Sequence, residues 1–178
     1  MFDHDITFYG KHADYLRKLA PSKIAGDSLT QGYTVFNSNI DIITAAPLVG
    51  LMFNRKSDRD LNNGITKNNI FLQQVVKVSA QLRLSFRILM LLANDENLSD
   101  EERINRAFRY ESNPEKLKPL EDLFFQYMRG GIEVLYERLI KDSTSVDDDI
   151  NNIFSFVEEC KNMAKGISKD DLAAMCSD

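Results

Sequence analysis

Tryptophan is absent, and cysteine, histidine and proline are scarce, at two, two and four residues. Both cysteines, Cys160 and Cys176, lie near the C-terminal end and neither sits in a CxxC pair, so the sequence predicts ordinary thiols and no disulfide framework. His4 and His12 are surrounded by Asp3, Asp5 and Asp14, but their spacing fits no helical pair of metal ligands, so no metal is expected. The chain has no GxSxG elbow, no HExxH, no glycine-rich phosphate loop and no dinucleotide fingerprint. No cofactor follows from it, and an enzyme of a familiar type is not the expected reading. The opening residues, Met1 to Leu16, carry acids where a secretory leader carries bases. Lys77, Arg83 and Arg87 interrupt the most apolar run, so no membrane span is expected and the cytoplasm is the default compartment.

What the chain does have is apolar surface. With 178 residues, 43% hydrophobic, it is long enough to build a core without staples. The net charge of −5 is unevenly placed: Asp142 to Asp178 hold nine acids against three lysines, leaving the first 141 residues close to neutral. Residues 1–141 therefore read as a helical core domain and 142–178 as an acidic helical segment packed on it or tethered to it.

The segment Asn68–Asn94 predicts a long central helix, about 40 Å at 1.5 Å per residue. Phe71, Val75, Val78, Leu82, Phe86, Leu89 and Ala93 recur at helical spacing, with a second apolar face at Leu72, Val76, Leu84, Ile88 and Leu91. Other helices follow from periodicity and punctuation. One is a short amphipathic helix before Pro21; another is a buried helix from Ile40 to about Asn54, interrupted by Pro47 and Gly50. Ser99 with Asp100, Glu101 and Glu102 forms a capping signal for a helix to Tyr110, and Leu120–Ile140 predicts a further helix with Gly130-Gly131 in its middle. A helix opens after Asp147–Asp149, and a last short one at Ser168. The stretch between Ser22 and Asn39, with Gly26 and Gly32, reads as a loop, and Asn63-Gly64 marks a turn. The expected architecture is all-α, an irregular bundle of about six or seven helices around residues 68–94.

The candidate site residues are cationic. Arg55, Lys56, Arg59 and Lys67 bracket the turn that precedes the central helix, where backbone N–H groups and the helix dipole favour a phosphate. Asp58 and Asp60 lie among them, and a solvated loop of local ion pairs is the competing reading. Arg103, Arg106 and Arg109 recur every third residue beside Phe108 and Tyr110, a pattern suited to nucleic-acid phosphates and base stacking. The same arginines can instead pair with Glu101, Glu102 and Glu111. Arg129 precedes two glycines that permit close approach of a backbone or a ligand. Arg83 and Arg87, with Lys77 alongside, form either an exposed edge or a polar seam that pairs with Asp41.

Three functions remain in play. The first is a non-enzymatic interaction subunit that docks on a protein partner or a second copy of itself, using an exposed seam and the acidic C-terminal segment. The second is an accessory protein that grips DNA or RNA by its backbone, as in DNA-modification or defence systems, through the eight cations from Arg55 to Arg129 named above. The third is an enzyme of unrecognised type built on carboxylates such as Asp41, Asp58, Asp60 or Glu121.

Overall fold

Ile6 and Phe8 are apolar and alternate with Thr7 and Tyr9, and that two-residue period makes Ile6–Tyr9 a strand, β1, with Ile6 and Phe8 buried. In the computed structural model, which describes residues 1–20, 35–61, 66–93 and 98–164, β1 pairs antiparallel with β2, Lys67–Ile70. Ile6 stands opposite Ile70 and Tyr9 opposite Lys67. Helix α1, Gly10–Leu19, follows β1 without a linker. The abrupt change needs Gly10, whose φ of +54° is left-handed and whose Cβ, were there one, would lie 2.4 Å from the Asp60 carboxylate. That carboxylate accepts the Lys11 backbone N–H at 3.0 Å.

Six further helices follow: α2 (Asn39–Met52), α3 (Leu72–Lys77), α4 (Ser79–Leu92), α5 (Asp100–Ile104), α6 (Pro114–Leu139) and α7 (Val146–Ala164). A π-helical turn, Asn105–Arg109, and a 3₁₀ turn, Tyr110–Ser112, join α5 to α6. The protein is an all-α helical bundle with one small two-stranded sheet among the described residues. Three helix starts carry side-chain caps: Ser99 Oγ, as expected, accepts from Glu102 N, and Asn113 Oδ1 accepts from Lys116 N and Ser145 Oγ from Asp148 N. Pro114 occupies the first turn of α6, where its missing N–H costs nothing.

The centre of the bundle differs from the sequence expectation. Residues 68–94 do not form one helix: Asn68–Ile70 belong to β2, and the helix beginning at Leu72 breaks at Val78 (φ −114°, ψ 11°). Three valines within Val75–Val78 are stiff, weak helix formers, and the break separates α3, anchored by fully buried Val75, from α4, which buries Leu82, Phe86, Leu89 and Met90. Of the predicted faces, only part is covered. Phe71 is 60% exposed, and Leu72, Val76 and Leu84 face solvent.

The bundle instead surrounds α6, in which every residue from Tyr127 to Leu135 is buried. Gly130-Gly131 make this possible. A Cβ on Gly131 would lie 1.8 Å from the Ala46 carbonyl oxygen, one on Gly50 would lie 2.0 Å from that of Tyr127, and one on Gly130 would lie 2.0 Å from that of Arg55. The glycines therefore mark a close crossing of α2 and α6, with the loop after α2 laid on α6 as well. Helix α7 packs on α6 through Ile153 and Phe156, the latter stacked on Phe53 at 6.0 Å, and Arg138 pairs with Glu159 at 2.9 Å.

Ser22–Thr34 with Gly26 and Gly32, the Asn63-Gly64 turn, the Ser168 helix and Cys176 lie outside the described residues. No helix among the described residues is long and apolar enough to cross a membrane.

Candidate functional site

The loop Asn54–Asp58 leaves α2 through Asn54, a residue that tolerates its left-handed φ of 46°, and runs along one stripe of α6. Gln126, Arg129, Glu133 and Glu137 recur there at helical spacing, and each holds part of that loop. Ser57 is gripped at all three of its polar groups. Its N–H donates to the Gln126 carbonyl at 3.0 Å, its carbonyl accepts from Arg129 Nε at 2.8 Å, and its hydroxyl donates to Glu133 Oε1. Gln126 Nε2 donates to Asp58 Oδ1 at 2.8 Å, and the Tyr127 hydroxyl reaches Asn54 Oδ1 at 3.3 Å.

Glu133 is the hub of a buried polar cluster. It is 4% exposed, and its Oε1 receives Lys11 Nζ at 2.7 Å and His12 Nε2 at 3.0 Å in addition to Ser57. Its Oε2 accepts from Arg55 Nε and Nη2 at 3.3 and 3.2 Å. Burial pushes its pKa up, but the hydrogen bonds from His12, Lys11 and Ser57 and the charge of Lys11 outweigh burial and hold the carboxyl well below its usual range. The partner Lys11 is raised in turn, chiefly by its hydrogen bond to Glu133. An ionised carboxylate fixes the His12 tautomer with the proton on Nε2, and the buried Nδ1 has no hydrogen-bond partner. A nucleophile relay needs the imidazole to bridge serine and carboxylate through its two different nitrogens. Here Nε2 alone meets both Ser57 Oγ, at 3.2 Å, and Glu133, so the cluster pins α1, the loop and α6 together and lacks the geometry of a relay.

The cationic candidates separate into three sets. Arg55 is taken up by Glu133 and Glu137, Lys56 lies over the Tyr127 ring at 5.2 Å, and Lys67, in β2 rather than at a helix entrance, lies over Tyr9 at 5.6 Å. Arg103 donates to the carbonyls of Leu91 at 3.1 Å and Ala93 at 2.8 Å, Arg106 pairs with Glu102 at 3.2 Å, and Arg109 donates to Asn105 Oδ1 at 2.8 Å. The π-helical turn at Asn105–Arg109 also breaks the spacing that aligned these three on one face. Arg59 and Arg129 remain, and the structure brings them together on one cavity of about 220 Å³, lined also by His4–Tyr9 and Phe125.

Arg83 pairs with Glu111 at 2.7 Å and Arg87 lies over Phe108 at 5.4 Å, so the seam does not reach Asp41, which accepts from the Ser38 hydroxyl. His4 and His12 serve different ends: His4 Nδ1 contacts Asp3 at the surface, while His12 turns inward.

The contacts of Arg103 cap the C-terminus of α4, where carbonyls lack partners within the helix. Arg103→Ala should lower stability by about 1–2 kcal/mol in urea denaturation, with an unchanged dependence on denaturant.

The sequence reading weighed His12 only as a metal ligand and passed over Ser57 and Glu133. A signal existed for His12, which shares the spacing of Ala13, Leu16 and Leu19 on the inner face of α1. None existed for Glu133, since a glutamate within a helix is ordinarily exposed.

No protein-family model, no curated protein and no solved structure matches this chain.

Proposed function

We propose that the protein is a non-enzymatic interaction subunit whose partner is a second copy of itself, joined by reciprocal docking of α7 of one copy on α4 of the other. The observation that carries this reading is the uncovered apolar face of α4: Leu84 and Leu92 are 59% and 67% exposed, with half-buried Ile88 and Leu91 at the same helical spacing. Helix α7 has a matching outer face, with Val146, Ile150, Phe154 and Val157 exposed while Ile153 and Phe156 pack inward.

Charge supports the pairing. Lys77 ends α3 just before α4, and Asp147, Asp148 and Asp149 open α7, whereas Arg83 and Glu158 are already paired with Glu111 and Lys161, so a two-fold arrangement can set Lys77 against the acidic start of α7 twice. The nucleic-acid reading draws less support from the geometry, because Arg103, Arg106 and Arg109 are engaged within the fold.

Sedimentation equilibrium checks the proposal. A dimer with Kd of about 10 μM or tighter is expected. Leu84→Glu and Phe154→Glu should each weaken it at least about tenfold without changing the helical signal, because both side chains are exposed. A wild-type protein that stays monomeric at about 100 μM, or a dimer indifferent to both substitutions, would rule the arrangement out.

A further inference from the structure

The cavity between β1 and α6 brings together two cations, Arg59 and Arg129, that make no ion pair among the described residues. Arg129 is 9% exposed, and its only hydrogen bond among the described residues runs from Nε to the Ser57 carbonyl, leaving both terminal nitrogens without a partner. Arg59 is exposed and makes neither a hydrogen bond nor an ion pair among the described residues. The carboxylates around the cavity have nearer partners: Asp58 accepts from Gln126, Asp122 from Lys118, Glu133 from Lys11 and Arg55, and Asp5 from the Leu72 backbone N–H at 2.7 Å. Burial, and then repulsion from Arg59, push the Arg129 pKa down to about 10 against the opposing pull of Asp58, Asp122 and Glu133. Such a group is costly to the folded state unless something else neutralises it.

We propose that this cavity is a binding site for the phosphate group of a small phosphomonoester, held between the guanidinium groups of Arg129 and Arg59 with Phe125 walling the remainder of the ligand. A phosphate dianion offers enough oxygens for the planar donor forks of two arginines, whereas a carboxylate satisfies one. The cavity, about 220 Å³, corresponds to roughly seven waters at about 30 Å³ each, which suits a phosphate with a small organic group and excludes a full nucleotide strand.

The test is calorimetric titration with phenyl phosphate at constant ionic strength, with benzoate and a 5′-phosphorylated oligothymidylate as comparisons. Saturable binding of phenyl phosphate with Kd of about 1 mM or tighter is expected, with both comparisons weaker. Arg59→Ala should weaken the affinity at least about tenfold while leaving the denaturation midpoint unchanged, because Arg59 supports nothing in the fold. This variant avoids the risk of unfolding that attends the loss of Arg129. Absence of saturable binding, or equal binding by Arg59→Ala, would overturn the site. Benzoate bound as tightly as phenyl phosphate would overturn the choice of phosphate. The oligonucleotide bound more tightly would make the ligand a nucleic-acid end instead.

Discussion

Gly131→Ala should destabilise the protein by about 3 kcal/mol or more, a large fraction of the stability of a domain this size. Intrinsic propensity predicts the opposite sign, since alanine in a helix interior is favoured over glycine by about 1 kcal/mol. The tertiary contact decides. A Cβ at this position would sit 1.8 Å from the Ala46 carbonyl oxygen and 2.9 Å from the Gly50 backbone nitrogen. Both are backbone atoms of α2, so no rotamer change relieves the clash and the two helices must separate along the crossing. Separation would also loosen the contact at Gly50, where the Tyr127 carbonyl lies 2.0 Å from the position of a Cβ. Urea denaturation of Gly131→Ala checks this directly. A midpoint above that of the wild type would mean that α2 and α6 do not cross so closely.

Glu133→Ala should cost about 3–5 kcal/mol, the range expected when one partner of a buried ionic cluster is removed. His12, 1% exposed, and the Ser57 hydroxyl would lose their acceptor together, while Lys11 and Arg55, each about half exposed, can turn toward water. A second measurement separates charge from packing. Because the folded-state pKa of Glu133 is depressed below its ordinary value of 4.5, its contribution is complete above that pH. It is lost as the pH falls toward the folded-state value. Wild-type stability should therefore decline on acidification from pH about 5 to 3, and Glu133→Gln, which cannot titrate, should show a shallower decline over the same interval. Parallel profiles for the two proteins would show that Glu133 is not held ionised by its neighbours.

Both predictions concern α6, and both effects were only partly legible in the sequence. The spacing of Leu123, Phe124, Tyr127, Ile132, Leu135 and Leu139 identifies a helix with an apolar stripe, and Gly130-Gly131 announces a close approach. Nothing local distinguishes an approach by another helix from one by a loop. In the folded protein the two adjacent glycines do both: Gly131 admits α2, and Gly130 admits the backbone at Arg55. Burial of the stripe beneath that loop then follows, which is why Arg129 and Glu133 are enclosed although their residue types predict exposure.

The candidate cations show the same division. The i, i+3 spacing of Arg103, Arg106 and Arg109 is a statement about an ideal helix, and a π-helical turn cancels it. Arg59 and Arg129 are separated by 70 positions in the chain and share a cavity only because β1 and the loop after α2 pack beside the same helix. The strand β2 was hidden for a related reason: Asn68–Ile70 carry no strand signal of their own, and it is pairing with Ile6–Phe8 that makes them extended.

From the sequence alone followed the all-α class, the helix starts at Ser99 and at the acidic run Asp147–Asp149, and the apolar positions of α4 and α6. These rest on periodicity, capping side chains and turn residues, interactions that act over a few positions of the chain. Tertiary structure decided which helix stands at the centre, which apolar faces remain uncovered, and which charged side chains are consumed by the fold. Those outcomes depend on groups far apart in sequence, such as His12 with Glu133 and Gly131 with Ala46, whose meeting is governed by how whole faces fit together rather than by the residues adjoining them.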